Sequence, residues 1–243
     1  MSFDDLAAWA RTAEFTGWDF GVFRGRFTET DPPWSYDDLV RSRLPGVGSL
    51  LDLGTGGGER FATVAPLPAR TAATEGYAPN LPVARDRLTP LGVEVAEDTA
   101  GFADDSFELV TSRHDEFDPV ELRRLLVPGG RFITQQVGGR DLHEINDALG
   151  APPHEYRAWD LATAERGLTD AGFTVTWRAE ATPPGDFRDL GALLLFLRIT
   201  PWHVPGFTVE RYENRLRDLH ERMSGGAPMT VTCHRFALVA ELP

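Results

Sequence analysis

Lysine is missing from this chain altogether. All 24 basic residues are arginine and they face 37 acids, so the net charge is 24 − 37 = −13. A protein that grips a polyanion gathers basic groups on one face, and this balance disfavours nucleic acid as a partner. Set beside the abundant Ala, Gly and Pro, the arginine-only usage reads as codon bias from a GC-rich genome rather than as chemistry. Cysteine is nearly absent. Cys233 stands alone, which excludes an intrachain disulfide and a cysteine zinc site. Its alternating apolar surroundings predict a buried thiol. No apolar run approaches the ~20 residues that span a bilayer. The opening Met1-Ser2-Phe3-Asp4-Asp5 carries acids where a secretory leader needs positive charge. A soluble, cytoplasmic protein without membrane contact is expected. No repeat, low-complexity tract or linker divides the 243 residues, which suit one α/β domain with additions.

What is present is alternation. Apolar runs at Ser49–Leu53, Arg70–Thr74, Val93–Ala96, Phe107–Thr111 and Arg131–Val137 read as strands. The stretches 58–65, 80–89 and 118–127 between them read as helices. Such alternation implies crossover connections and a parallel, doubly wound sheet, with ligands at the carboxyl ends of the strands. Asp52, Glu75, Asp98 and the Ser112–Glu116 stretch each follow a strand and should converge. Before this core, residues 2–16 form an amphipathic helix capped by Ser2, and a second helix opens at Ser35 and ends before Pro45. After it come a helix over Asp160–Ala171, a strand over Phe173–Ala179, helices at about 186–199 and 208–222, and a strand at about 229–240. The expected division is an N-terminal helical lid or brace (1–45), a Rossmann-like core (46–180), a helical insertion (181–228) and a final strand (229–243).

The informative stretch is Leu50-Leu51-Asp52-Leu53-Gly54-Thr55-Gly56-Gly57-Gly58, a strand broken into a glycine turn. Backbone without Cβ atoms lets a nucleotide lie against it. Alone the turn is weak evidence. An acid at the strand end repels a pyrophosphate and suits an amine-bearing or cationic ligand. Glu75, ending the next strand, can accept two ribose hydroxyls. Asp104-Asp105-Ser106-Phe107-Glu108-Leu109-Val110 leads into the fourth strand, and Leu125-Leu126-Val127-Pro128-Gly129-Gly130-Arg131-Phe132-Ile133 into the fifth.

In this order the set resembles the class I S-adenosylmethionine-dependent methyltransferases, in their small-molecule branch with the "type 11" domain. The resemblance is close over about residues 48–137 and general in the flanks. It implies a Rossmann-like seven-stranded sheet, mostly parallel with the last strand antiparallel, and S-adenosylmethionine as cofactor with S-adenosylhomocysteine as product. By position, Asp52, Gly54, Thr55, Gly56 and Gly58 would form the turn under the methionyl part. Glu75 would hold the ribose, with Gly76 and Tyr77 beside the adenine, and Asp98 and Thr99 would meet the adenine amine. Between Asp98 and Ser106 the chain is shorter than the family pattern and lacks its Leu-Pro-Phe, which weakens the adenine assignment.

The sulfonium already makes its methyl electrophilic, so alignment of a nucleophile is the main requirement. Hydroxyl and carbon acceptors usually want a general base as well. His114 is the candidate base, because its ordinary pKa lies near neutrality. Alternatively, Arg113 and His114 structure the loop or meet the cofactor's carboxylate. Trp18, Phe20, Trp34 and Tyr36 in the aromatic N-terminal segment, Gln135 at the end of the fifth strand, and Trp202 with His203 in a late loop are the candidate substrate residues. Packing is the plainer role for the late loop and for the aromatics. Asp31-Pro32-Pro33-Trp34 matches a tetrapeptide of amino-methyltransferases but follows no core strand, and reads as a turn. Asp115, Glu116 and Asp118 read as a solvated acidic loop, and no metal is expected. The expected function is methyl transfer to a small molecule, secondary metabolites included. An RNA methyltransferase, or a cofactor-binding protein with non-methylating activity such as cyclisation, are the alternatives. Monomer and homodimer stay open.

Overall fold

The computed structural model of the chain describes residues 1–16 and 20–243. The chain opens with helix α1 (Phe3–Thr12), a short strand β1 (Phe27–Glu29) and helix α2 (Tyr36–Arg41). Then β2 (Ser49–Leu53), β3 (Arg70–Thr74), α3 (Leu81–Leu88), β4 (Val93–Ala96), β5 (Phe107–Arg113), α4 (Pro119–Leu125) and β6 (Leu126–Val137) alternate. Helices α5 (His143–Leu149) and α6 (Leu161–Asp170), strands β7 (Thr174–Ala181) and β8 (Pro184–Phe187), and helices α7 (Leu190–Ile199) and α8 (Glu213–Ser224) follow. Strands β9 (Met229–Thr232) and β10 (Arg235–Glu241) end the chain.

Seven strands make the main sheet in the order β4-β3-β2-β5-β6-β10-β7. The pairs from β4 to β6 are parallel, and β10 runs antiparallel to both β6 and β7. The expected doubly wound, seven-stranded sheet with an antiparallel last strand is present. Its period-2 pattern explains the two layers. Leu51, Phe107, Val110, Phe132, Phe236 and Leu238 share one core with Leu122 of α4 and Leu168 of α6. Leu50, Leu109, Ile133 and Val239 share the other with Tyr36 and Val40 of α2 and Leu88 of α3.

Several expected boundaries differ. The stretch 58–65 is no α-helix but a single 3-10 turn, Phe61–Val64. Its glycines oppose helix formation, and Pro66 and Pro68 bias the residues before them out of helical backbone. The helix expected from 186 starts at Leu190, because the Asp189 carboxylate accepts from the Ala192 N–H at 3.0 Å and caps it there. The helix expected from 208 starts at Glu213. The strand expected over 229–240 breaks at Cys233-His234, and β9 leaves the main sheet. It joins β1 and β8 in a three-stranded antiparallel sheet. The N-terminal and late segments share one core, in which Leu6, Ala7 and Ala10 of α1 pack with α7, α8 and α5. Arg26 binds both oxygens of Asp189 at 2.7 and 2.6 Å and stacks over Trp9 at 3.5 Å. Among the described residues no helix is long and apolar enough to cross a membrane.

The two sheets meet at Arg235, which begins β10 opposite Val137, at the carboxyl end of β6. It is 8% exposed and binds Asp141, with Glu29 at 2.9 Å on its other amine. Burial pushes the Asp141 carboxyl up to about 6, with Arg235 opposing the shift. Removing one partner of a buried ion pair leaves an uncompensated charge. Arg235→Met should therefore cost about 3–5 kcal/mol at pH 8 in urea unfolding. The loss should shrink toward pH 5, where Asp141 takes up a proton. A loss below about 1 kcal/mol at pH 8 would show that the triad does not anchor the second sheet.

Candidate active site

Strand β2 is buried along its whole length and carries Asp52, 8% exposed, one residue before its end at Leu53. The chain then turns through Gly54 and Gly56 with φ of 61° and 64°, the left-handed region that favours glycine. At Gly54 there is a second reason, since a Cβ there would overlap the Asp115 carboxylate. The turn is tied to the end of β3, with the Thr55 N–H donating to Thr74 O at 2.9 Å.

Carboxylates gather around this turn. Asp52 accepts from the Thr111 hydroxyl of β5 at 2.7 Å. Burial raises its pKa to about 7; the Thr111 and Thr55 hydroxyls and Arg113 oppose the shift, and Asp115 adds to it. Glu75, 5% exposed, accepts from the Tyr77 N–H at 2.7 Å, and its pKa is raised by burial, with the Tyr77 and Gly56 amides opposing. Asp115 is an exposed residue whose carboxyl, turned in toward Gly54, is raised by local desolvation too, with the Glu116 backbone opposing. The cation among them is Arg113, which burial, followed by Arg60, lowers to about 10. Three buried polar atoms here lack a hydrogen bond of good geometry: Tyr36 Oη, Thr55 Oγ1 and Arg113 Nε. Thr55 lies close enough to Asp52 to lower its pKa, yet not aligned to donate. Such a set is poised for a ligand with both a positive centre and polar groups.

Next to the turn a cavity of about 220 Å³ is lined by Leu53, Thr74, Asp98, Thr99, Asp115 and Phe117, among others, from four strand ends. Asp98 caps the Ala100 N–H at 2.9 Å, and the Thr99 hydroxyl donates to Glu121 at 2.6 Å. Tyr77 is exposed. A larger hollow of about 370 Å³ at Pro45, Val47, Pro128 and Gly129 lies at the opposite end of the sheet, away from these acids.

The remaining candidates divide. Trp34, Gln135 and His114 are joined in one chain of hydrogen bonds, Trp34 Nε1 to Gln135 Oε1 at 2.9 Å and Gln135 Nε2 to His114 Nε2 at 3.1 Å. Burial, then Arg113, Arg235 and Arg60, hold the His114 imidazole well below the usual histidine range. The residue as a whole is exposed, so the three guanidinium groups, which all oppose a positive ring, are the cause of the lowering that its position supports. Gln136 points the other way and donates to Asp115 O at 2.8 Å, which steadies the acidic loop. Tyr36 is buried in the α2 core with its hydroxyl at the site. Phe20 packs on Phe15 and Phe23 beside α1. His203, 4% exposed, meets Leu142 O at 3.2 Å and lies in the helical core, while Trp202 beside it is half exposed. Trp18 lies outside the described residues. Sequence reasoning missed the approach of Asp115 to Gly54 and of Arg235 to His114; the first lay within a singled-out stretch, and no local pattern signals the second.

A carboxyl with a raised pKa binds its proton more tightly in the folded protein than in the unfolded chain. Its stabilising effect is complete below pH ~4, the unfolded value, and is lost as pH rises through about 7. Asp52→Asn should therefore raise the melting midpoint of the ligand-free protein more at pH 8 than at pH 5. Thermal scans at the two pH values check this, and an equal change at both would show that Asp52 is not forced neutral by its surroundings.

No protein-family profile matches the sequence, and comparison with curated proteins returns no match. Solved structures do match. A protein of Bacillus halodurans C-125, provisionally described as a methyltransferase, superposes with TM-score 0.61 at 20% identity, over 85% of this chain and 98% of its own. The [4+2]-cyclase SpnF gives 0.53 at 18% identity, over 98% and 93%. A phosphoethanolamine N-methyltransferase of Haemonchus contortus, solved with phosphomonomethylethanolamine and S-adenosylhomocysteine, gives 0.50 at 16%, over 86% and 53%. Strand order, glycine turn and these neighbours agree: the chain has the fold of the class I S-adenosylmethionine-dependent methyltransferases.

Proposed function

We propose that this chain is a cytoplasmic, single-domain S-adenosylmethionine-dependent methyltransferase acting on a small molecule. The observation that carries the reading is the cluster of Asp52, Glu75 and Asp115 around the Gly54–Gly58 turn, all with pKa values raised by desolvation. Such a cluster is under-compensated by Arg113 and favours a cation. S-adenosylmethionine carries a sulfonium and an ammonium, and its carboxylate suits Arg113. Asp52, Gly54, Thr55, Gly56, Gly58 and Arg113 would hold the amino-acid portion. Glu75, Gly76 and Tyr77 would hold the ribose and an adenine edge, with Asp98 and Thr99 at the cavity wall. When bound, the sulfonium supplies an electrophilic methyl group. The chain's own residues bind and orient the donor, and His114, Gln135, Trp34 and Tyr36 border the acceptor side. A net charge of −13 without lysine and the second sheet packed at the strand ends favour a small acceptor over RNA.

Titration calorimetry of the purified protein with S-adenosylhomocysteine tests the reading. Binding is expected, with Asp52→Asn and Glu75→Gln each weakening it about tenfold or more, a change of ~1.4 kcal/mol. Undetectable binding to the parent protein, or full affinity in both variants, would sink it. Because Asp52 must ionise to meet a cation, binding at pH 6 should also release protons, about one at most. Titrations in two buffers of different ionisation enthalpy measure that release, which Asp52→Asn should reduce.

A further inference from the structure

His114 directly follows β5 with φ of 61°, a left-handed backbone that a non-glycine residue adopts at a cost of about 1–2 kcal/mol. It is held there by its N–H, which donates to Gln135 O at 2.8 Å. The side chains of the same two residues meet at 3.1 Å, Gln135 Nε2 against His114 Nε2. Gln135 in turn receives the Trp34 indole N–H on Oε1 at 2.9 Å.

The chemistry of the three groups leaves one assignment. An indole N–H only donates, so the Gln135 carbonyl oxygen must face Trp34 and its NH₂ must face His114. An amide NH₂ only donates, so His114 Nε2 must be a bare acceptor. Turning the amide over would set two donors against each other at Trp34. Protonating His114 would do the same at Nε2. The charged groups acting on the ring are Arg113 beside it in sequence, Arg235 of β10 and Arg60 after the glycine turn, and all three oppose a positive imidazole.

We propose that Trp34 and Gln135 latch His114 in a single neutral tautomer, with its proton on Nδ1 and its Nε2 lone pair engaged. In this state His114 is a hydrogen-bond donor through Nδ1 and not a base through Nε2. Gln135 and Trp34 are positioning residues, and Trp34 comes from the segment between β1 and α2. That segment thereby sets the proton state of a residue at the acceptor side. An acceptor that needs Nε2 to take its proton must first displace Gln135, whereas an amine that loses its proton to water does not. The functional part of this inference rests on the methyltransferase reading; the tautomer does not.

Long-range ¹H–¹⁵N spectra of protein carrying ¹⁵N-histidine report each ring nitrogen separately, and His114→Asn identifies the signal among the six histidines. The expected pattern at pH 8 and at pH 7 is protonated Nδ1 and bare Nε2, with the ring titrating below the usual histidine range. Gln135→Glu should place the proton on Nε2 and raise the ring's titration by about one pH unit or more. Trp34→Phe should let the amide turn and average the two tautomers. A protonated Nε2 or mixed tautomers in the parent protein, an imidazolium forming above pH 6, or an unchanged pattern in Trp34→Phe would each overturn the latch. Should both variants fail to fold, the parent spectrum alone decides. If the pattern is found but S-adenosylhomocysteine does not bind, the latch stands and the methyltransferase reading falls; binding with a protonated Nε2 gives the reverse.

Discussion

A carboxylate at the end of a strand buried on both faces must either be neutral or have a positive partner. Asp52 is in that position, and much of the site follows from how the surroundings meet the constraint. The Thr111 hydroxyl supplies one hydrogen bond, and Arg113 supplies a distant and partly desolvated charge. Asp115 and Glu75 add to the deficit rather than relieving it. The ligand-free site therefore stores an electrostatic cost that a cationic ligand would relieve. Binding affinity, proton release and apo stability are linked through this one group.

The same constraint is met differently a few residues away. Arg235 begins β10 between Asp141 and Glu29, so its charge is matched by carboxylates from the loop after β6 and from the second sheet. Through this triad the small sheet is fastened to the carboxyl ends of the large one. The N-terminal and late segments, which share a core through α1 and α7, are thereby placed at the strand ends. His114 lies in the combined field of Arg235, Arg113 and Arg60, which makes it a poor proton acceptor at neutral pH. A histidine close to a candidate acceptor site is commonly read as a base. Here hydrogen-bond direction and local charge both argue for a neutral donor.

Much of the architecture was legible because it rests on local pattern. Ser49–Leu53, Arg70–Thr74 and Val93–Ala96 came out with the expected ends, since each is an apolar run cut off by polar or glycine residues. The failures have local causes of a different sort. The 58–65 stretch has a helical spacing of apolar residues, but glycine before and proline after it leave room for one 3-10 turn only. The 229–240 run looks continuous, yet it serves two sheets, and alternation alone does not reveal a change of partner.

By itself the sequence determined the parallel sheet, the glycine turn and the convergence of Asp52, Glu75 and Asp98 at strand ends, because strand polarity and loop position follow from short-range order. Tertiary structure alone decided which of the scattered aromatics and polar residues meet. Trp34 and Gln135 are 101 residues apart in the chain and hydrogen-bonded in the fold. Arg235 reaches Asp141 across 94 residues, and Asp115 fills the space that Gly54 leaves open. Such contacts depend on how layers stack and which strands become neighbours, and no local periodicity encodes that. The direction of a hydrogen bond to His114, and with it the tautomer, exists only once those partners are in place.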